Sequence, residues 1–151
     1  MSFDPSSDYP LGSRRSDLVS TPGGLPLDEV TLDALRTEKL SAEEMRAAPE
    51  TLSRQAEIAR AAGRVQLAEN LDRAAELATV PADVILEIYT ALRPRRSTAG
   101  ELETWARRLA DEYRAPRAAA FVREAAAVYA ERGLLGSVAE QQHEQAATPA
   151  V

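Results

Sequence analysis

No cysteine occurs in the 151 residues. That excludes disulfides, thiolate metal sites and cysteine nucleophiles, and it fits a reducing cytoplasm. Histidine occurs once, as His143 near the end of the chain. A lone histidine in a stretch without periodicity reads as a bystander. This removes a Ser-His-Asp triad, and it removes a carboxylate di-iron bundle, which needs two helix-borne histidines. Glycines number seven and are scattered. Gly23-Gly24 follows no strand-like run and no glycine fingerprint opens a helix, so phosphate loops and dinucleotide sites have no support. No apolar run approaches the ~20 residues of a membrane helix. The first residues hold no apolar core of a secretory signal, so none is expected.

Aromatics are also scarce, at 5% of the chain, whereas hydrophobic residues reach 44%. Alanine supplies much of that apolar count. Alanine buries little area, and at ~25 cal/mol per Å² a core built on it is thin. A partner surface is therefore an expected source of further stability. The net charge is -6, from 18 basic and 24 acidic side chains. An acidic chain of this kind is ill suited to nucleic acid or to an anionic membrane, and the basic residues are not interleaved with base-stacking aromatics.

Residues 1–26 contain Pro5, Pro10, Pro22 and Pro26 with Gly12, Gly23 and Gly24. Proline removes backbone donors and glycine widens backbone freedom, so an irregular, extended arm is expected. Its Phe3, Tyr9, Leu11, Leu18 and Val19 are more apolar than a linker needs. Two readings stay open: a disordered terminus, or an arm that orders on another subunit, which loses entropy in doing so and requires anchors such as Tyr9 and Leu11.

From residue 27 the pattern is helical. Asp28 or Thr31 is placed to cap a short helix. Ser41 and Glu44 have the spacing of a capping box over a short turn, with Glu44 reaching back. Pro49 suits a first turn, and Gly63 suits the residue after a helix end. Leu67, Leu71, Ala74 and Ala78 mark the next helix, with Glu69 and Arg73 as an i,i+4 pair worth ~0.3 kcal/mol. After Pro81, the residues Ile85, Ile88, Tyr89 and Leu92 form a stripe, and Pro94 restricts Arg93 and stops the helix. Thr98 and Glu101 form a second capping box, followed by the stripe Leu102, Trp105, Leu109 and Tyr113, with Glu103 and Arg107 paired outside. Pro116 opens a last helix carrying Ala118, Phe121, Val122, Ala125, Val128 and Tyr129, and Gly133 ends it. Residues 134–151 are rich in Gln, Ala and Glu without a sustained period and read as a flexible tail. No period-two alternation supports a sheet. The fold expected is all-α: an arm (1–26), a helical domain of about five longer helices (27–133) and a tail (134–151).

The remaining candidates for chemistry are charges. Glu43-Glu44 and Asp111-Glu112 sit on polar faces near arginines, whereas catalytic carboxylates need burial or a like-charge neighbour. Arg93, Arg95 and Arg96 crowd a helix exit. They complement the helix dipole there, or their forked guanidinium groups meet carboxylates on a partner. Arg14 and Arg15 read the same way. Tyr89 and Trp105 fit either core packing or an interface, where such residues dominate binding energy.

Several segments carry a resemblance in order and with similar gaps: Asp8-Tyr9-Pro10-Leu11, Asp17-Leu18-Val19, Thr21-Pro22, Leu27-Asp28, Thr31-Leu32, Glu50-Thr51-Leu52 and Gln55-Ala56. The match is densest from Gly63 to Ser97, in Leu67-Ala68-Glu69-Asn70, Arg73-Ala74-Ala75-Glu76-Leu77 and Ile85-Leu86-Glu87-Ile88-Tyr89. It closes at Ala120-Phe121-Val122-Arg123-Glu124-Ala125-Ala126. With these the chain resembles the small (gamma) subunit of adenosylcobalamin-dependent diol and glycerol dehydratases. Val65, where the pattern favours proline, and Ala48-Pro49 depart from it locally.

The resemblance implies a dimer of heterotrimers of large, medium and small subunits. Substrate and a metal ion belong to a barrel in the large subunit, and adenosylcobalamin lies between the large and medium subunits. It further implies radical conversion of a 1,2-diol or glycerol to an aldehyde and water. No catalytic, cofactor-binding or metal-binding residue of that family maps onto this chain. The task expected here is structural, with Tyr9, Leu11, Arg14, Tyr89, Arg93, Arg95 and Arg96 as partner contacts, in the cytoplasm and without nucleic-acid or membrane partners. A stand-alone helical adaptor is the alternative. An arm addressed to a protein-shelled microcompartment is a third reading, although residues 1–20 lack an amphipathic helical pattern.

Overall fold

A computed structural model describes residues 3–137. Among them the regular structure is helical, with seven α-helices and no strand. An isolated antiparallel bridge joins Ser20 and Pro26. The chain divides into two compact units, Met1–Thr79 and Val80–Val151. Within the stretch expected as one helical domain, the division falls between Thr79 and Val80.

The first unit starts with the proline-rich arm, which is more ordered than its composition suggests. Leu11–Arg14 makes one turn of α-helix (α1), and Ser16–Leu18 makes a 3-10 turn. Leu11 is buried while Tyr9, two residues before it, is exposed. Arg15 ties the arm together by ion pairs to Asp8 and Asp17, both at 2.9 Å. That hydrogen bonding, led by Asp17, raises the Arg15 pKa and lowers that of Asp17. A 3-10 turn at Leu27–Glu29 leads to Leu32–Arg36 (α2), whose Thr31 side chain accepts from the Ala34 N–H at 3.1 Å. Of the two expected caps, Thr31 is therefore the one used.

The Ser41 box is half made. Ser41 accepts from the Glu44 N–H at 3.2 Å, but the Glu44 carboxylate does not return to Ser41. It accepts instead from the hydroxyl of buried Thr21 in the arm. A Cβ on Gly23 would collide with that carboxylate, so glycine is what admits Glu44 to the arm.

The body of this unit is the hairpin of Pro49–Ala61 (α3) and Val65–Leu77 (α4). Gly63 has φ +73 and makes the turn between them. Its N–H donates to Arg60 O at 3.0 Å and the Arg64 N–H donates to Ala59 O at 2.8 Å, the paired bonds of a left-handed helix stop. Ala56, Ala59 and Ala68 are buried at the crossing, with Leu71 packed against them. Arg60 reaches across the hairpin to Asp72 at 2.6 Å. Arg73, spaced to meet Glu69, donates to Asn70.

The second unit holds Ala82–Ala91 (α5), Ala99–Asp111 (α6) and Pro116–Arg132 (α7). The Thr98–Glu101 box forms in full: Thr98 Oγ1 accepts from the Glu101 N–H and the Thr98 N–H donates to the Glu101 carboxylate. Gly133, at φ +64, ends α7 as expected. The α6–α7 seam buries Leu102, Ala106, Leu109, Ala118, Ala119 and Val122. The guanidinium of Arg108 lies 4.5 Å from the centre of the half-buried Trp105 ring, a cation–π contact.

Glu103 is not matched with Arg107 along its own helix. Its carboxylate takes both ends of the Arg123 guanidinium from α7, at 3.0 Å each. That hydrogen bonding, helped by charge, lowers the Glu103 pKa below the usual 4.5 and raises that of Arg123. A carboxyl group depressed by folding contributes stability above its unfolded value, and this is lost as pH falls through the folded one. Wild type should therefore exceed Glu103→Gln in melting temperature at pH 7. The gap should close as pH drops below 4.5, and it should narrow in high salt because the pair is exposed. A gap independent of pH, measured by circular dichroism melts, would assign the effect to something other than this charge.

Candidate partner-binding face

Helix α5 is apolar on more than one side. Val84, Ile88 and Ala91, at helical spacing, are buried. Ile85 and Leu92 are half-buried. The opposite face carries Leu86 and Tyr89, which are 68% and 62% exposed. The expected stripe of Ile85, Ile88, Tyr89 and Leu92 is thus turned, because Val84 and Ala91 take the inward positions and Tyr89 points out. A helix apolar all round usually lies buried on all sides. In α5, Asp83, Glu87 and Thr90 make one polar edge, and Leu86 and Tyr89 beside it are exposed.

Arg93 continues the outward row, one turn beyond Tyr89, and the basic turn follows at once. Pro94 stops the helix, and the Arg96 N–H donates back to Arg93 O at 3.1 Å. Arg95 has φ +62, a left-handed conformation that costs a non-glycine residue about 1–3 kcal/mol. The surrounding backbone holds it there. The Arg95 N–H donates to Leu134 O at 2.7 Å, and the Gly136 N–H donates to Ser97 O at 2.8 Å. A Cβ on Gly136 would lie 3.0 Å from Arg95 O, so the segment after α7 approaches the turn closely. Ser97 is buried, and Tyr129 donates to Leu92 O at 2.6 Å. The result is a clamped turn presenting exposed Arg93, Arg95 and Arg96 beside Leu86 and Tyr89. Arg93 and Arg95 have no side-chain partner among the described residues, whereas Arg96 takes part in a further interaction.

The other expected contact residues belong to the first unit. Tyr9 is 63% exposed, Leu11 is 5% exposed, and exposed Arg14 donates to Ser7 O at 2.7 Å. Leu11 thus roots the arm from which Tyr9 projects. Leu86 was not among the expected contacts. Its spacing to Tyr89 and Arg93, three and seven residues, would have revealed the shared face. The clamp by Leu134–Gly136 falls at the start of the expected tail and has no local sequence signal. His143 lies outside the described residues.

Among the described residues the buried polar ones are Thr21 and Ser97, and no buried side-chain polar atom lacks a partner. No group of three His, Cys, Asp or Glu among them is placed to hold a metal ion. No helix among them is long and apolar enough to cross a membrane. The arrangement is an exposed apolar strip with a cationic end.

Residues 5–136 match the sequence profile of the family described as dehydratase small subunit. A propanediol dehydratase small subunit from Citrobacter freundii is 53% identical over 126 residues, spanning 83% of this chain and 73% of the relative. One from Salmonella typhimurium strain LT2 is 52% identical over the same length and shares.

Proposed function

The chain belongs to the dehydratase small-subunit family, and we propose that it serves as the non-catalytic structural subunit of a propanediol dehydratase. In this reading it packs on large and medium subunits, in a dimer of heterotrimers. Those subunits hold substrate and adenosylcobalamin and convert a 1,2-diol to an aldehyde and water. The complex works in the cytoplasm. The substrate class rests on the names of the relatives, and the cofactor and stoichiometry rest on the family resemblance.

One observation carries the structural role: the outward face of α5, where Leu86 and Tyr89 are exposed beside the clamped arginine turn. Fully burying such side chains is worth about 1.5–3 kcal/mol each. A strained turn that holds arginine where glycine would sit freely implies that the side chain matters, and forked guanidinium groups suit carboxylates on a partner. The test is to prepare the large and medium subunits with and without this chain. Preparations lacking it should lose thermal stability and turnover, while the chain alone should turn over no propanediol. Equal stability and activity in both preparations would end the proposal.

A further inference from the structure

A groove of about 510 Å³ runs between the arm and the α3–α4 hairpin. Its floor is apolar, with buried Leu11 and Ala59 and half-buried Ile58. Tyr9 forms one side and Leu67 the other, 63% and 43% exposed. The volume is within the range of clefts that bury a compact ligand. A small polar metabolite would nonetheless find little to orient it, since Gln55 and Arg64 are the charged or amide side chains that line the groove and both are exposed.

The walls are fixed in advance. Arg15 braces the arm through Asp8 and Asp17, and Arg54 from α3 donates to Leu18 O at 2.6 Å. Two further features describe the occupant. Apolar surface continues past the groove, since Val65 at the start of α4 is 52% exposed, whereas an interface rim is ordinarily polar. An occupant that covers it is longer than the groove. Arg64 lines the groove with no side-chain partner among the described residues, while nearby Arg60 is neutralised by Asp72.

We propose that this groove is a second docking site, which receives a segment of another dehydratase subunit. That segment presents apolar side chains to Ile58, Ala59 and Leu67 and a carboxylate to Arg64. The proposal rests on the structural-subunit reading and adds a contact in the first unit to the α5 face in the second.

The test uses the full chain and the purified large and medium subunits. Leu67→Glu puts a charge on the apolar side, and Arg64→Glu reverses the cation. Both positions are exposed, so circular dichroism should show unchanged helix content. Each variant should bind the other subunits at least tenfold more weakly in calorimetry, and Arg64→Glu should also flatten the salt dependence of binding. Wild-type affinity in both variants, with Leu86→Ala/Tyr89→Ala weakened, would overturn the groove and leave the structural-subunit reading intact. Absence of binding by the wild-type chain would overturn both. A self-association of the isolated chain that Leu67→Glu abolishes, seen by sedimentation, would make a second copy the occupant and overturn the proposal as well.

Discussion

Leu109→Ala should destabilise the second unit by about 3–5 kcal/mol, near the top of the range for such truncations. The leucine is 1% exposed on the α6–α7 seam. Its buried companions there include Ala106, Ala115, Ala118 and Ala119, side chains with no reach to close a cavity. The cost of a large-to-small change depends on how far the site can collapse, and alanine neighbours leave it open. The backbone adds to the constraint, because the Ala115 N–H donates to Leu109 O at 2.8 Å in the tight turn between the helices. With total stabilities of about 5–15 kcal/mol for domains in general, the variant would be close to unfolding. Leu86→Ala is the control on the same residue type: at 68% exposure it should cost only a few tenths of a kcal/mol. Urea titrations followed by circular dichroism check the pair. A loss below about 1 kcal/mol at Leu109 would mean that the seam repacks, contrary to its alanine content.

What the sequence made legible is local. Thr98 and Glu101 are three residues apart, so their box is visible as a spelling and forms as spelled. Pro49 and Pro116 at helix starts, and Gly63 and Gly133 after helix ends, act on their own backbone and stand where expected. The family likeness was legible for a similar reason, since it is carried by ordered segments. Two of the misread contacts are those for which a distant partner competes with a near one. Glu44 has Ser41 nearby but meets Thr21, 23 residues away, because Gly23 opens the path. Glu103 has Arg107 one turn on but takes Arg123, 20 residues away, which offers both ends of its fork. Nothing in the linear spacing ranks these alternatives.

The candidate site was half legible for another physical reason. Periodicity identifies an inward face by contrast with a polar one, and α5 offers little contrast. Ile85, Leu86, Ile88 and Tyr89 allow more than one stripe, and only the packing of Val84, Ile88 and Ala91 fixes the rotation. The arginine turn was visible as charge, but its rigidity was not. No glycine or asparagine marks the left-handed residue at 95, and the clamping carbonyl belongs to Leu134. A sequence can show that such charges exist. The backbone contacts show that the turn bearing them is held in one conformation, which would reduce the ordering cost of binding a partner.

Leu86→Ala/Tyr89→Ala should therefore separate assembly from folding. Both side chains are mostly exposed, so the free subunit should keep its stability within about 1 kcal/mol, since a surface change is usually worth no more than about 0.5 kcal/mol. In the complex the two side chains would lose burial worth about 3 kcal/mol in total, taking partial burial of each. That corresponds to about a hundredfold weaker binding to the large and medium subunits. Arg95→Gly makes the complementary change. It removes the guanidinium and relieves the left-handed residue, so the free subunit should become slightly more stable while its assembly weakens. Calorimetric binding and thermal melts of all three proteins decide the matter. A double variant that melts normally and assembles normally would show that the outward face of α5 is not where this subunit meets its partners. If Arg95→Gly gained stability without losing affinity, neither the strain nor the side chain at residue 95 would have a role in binding.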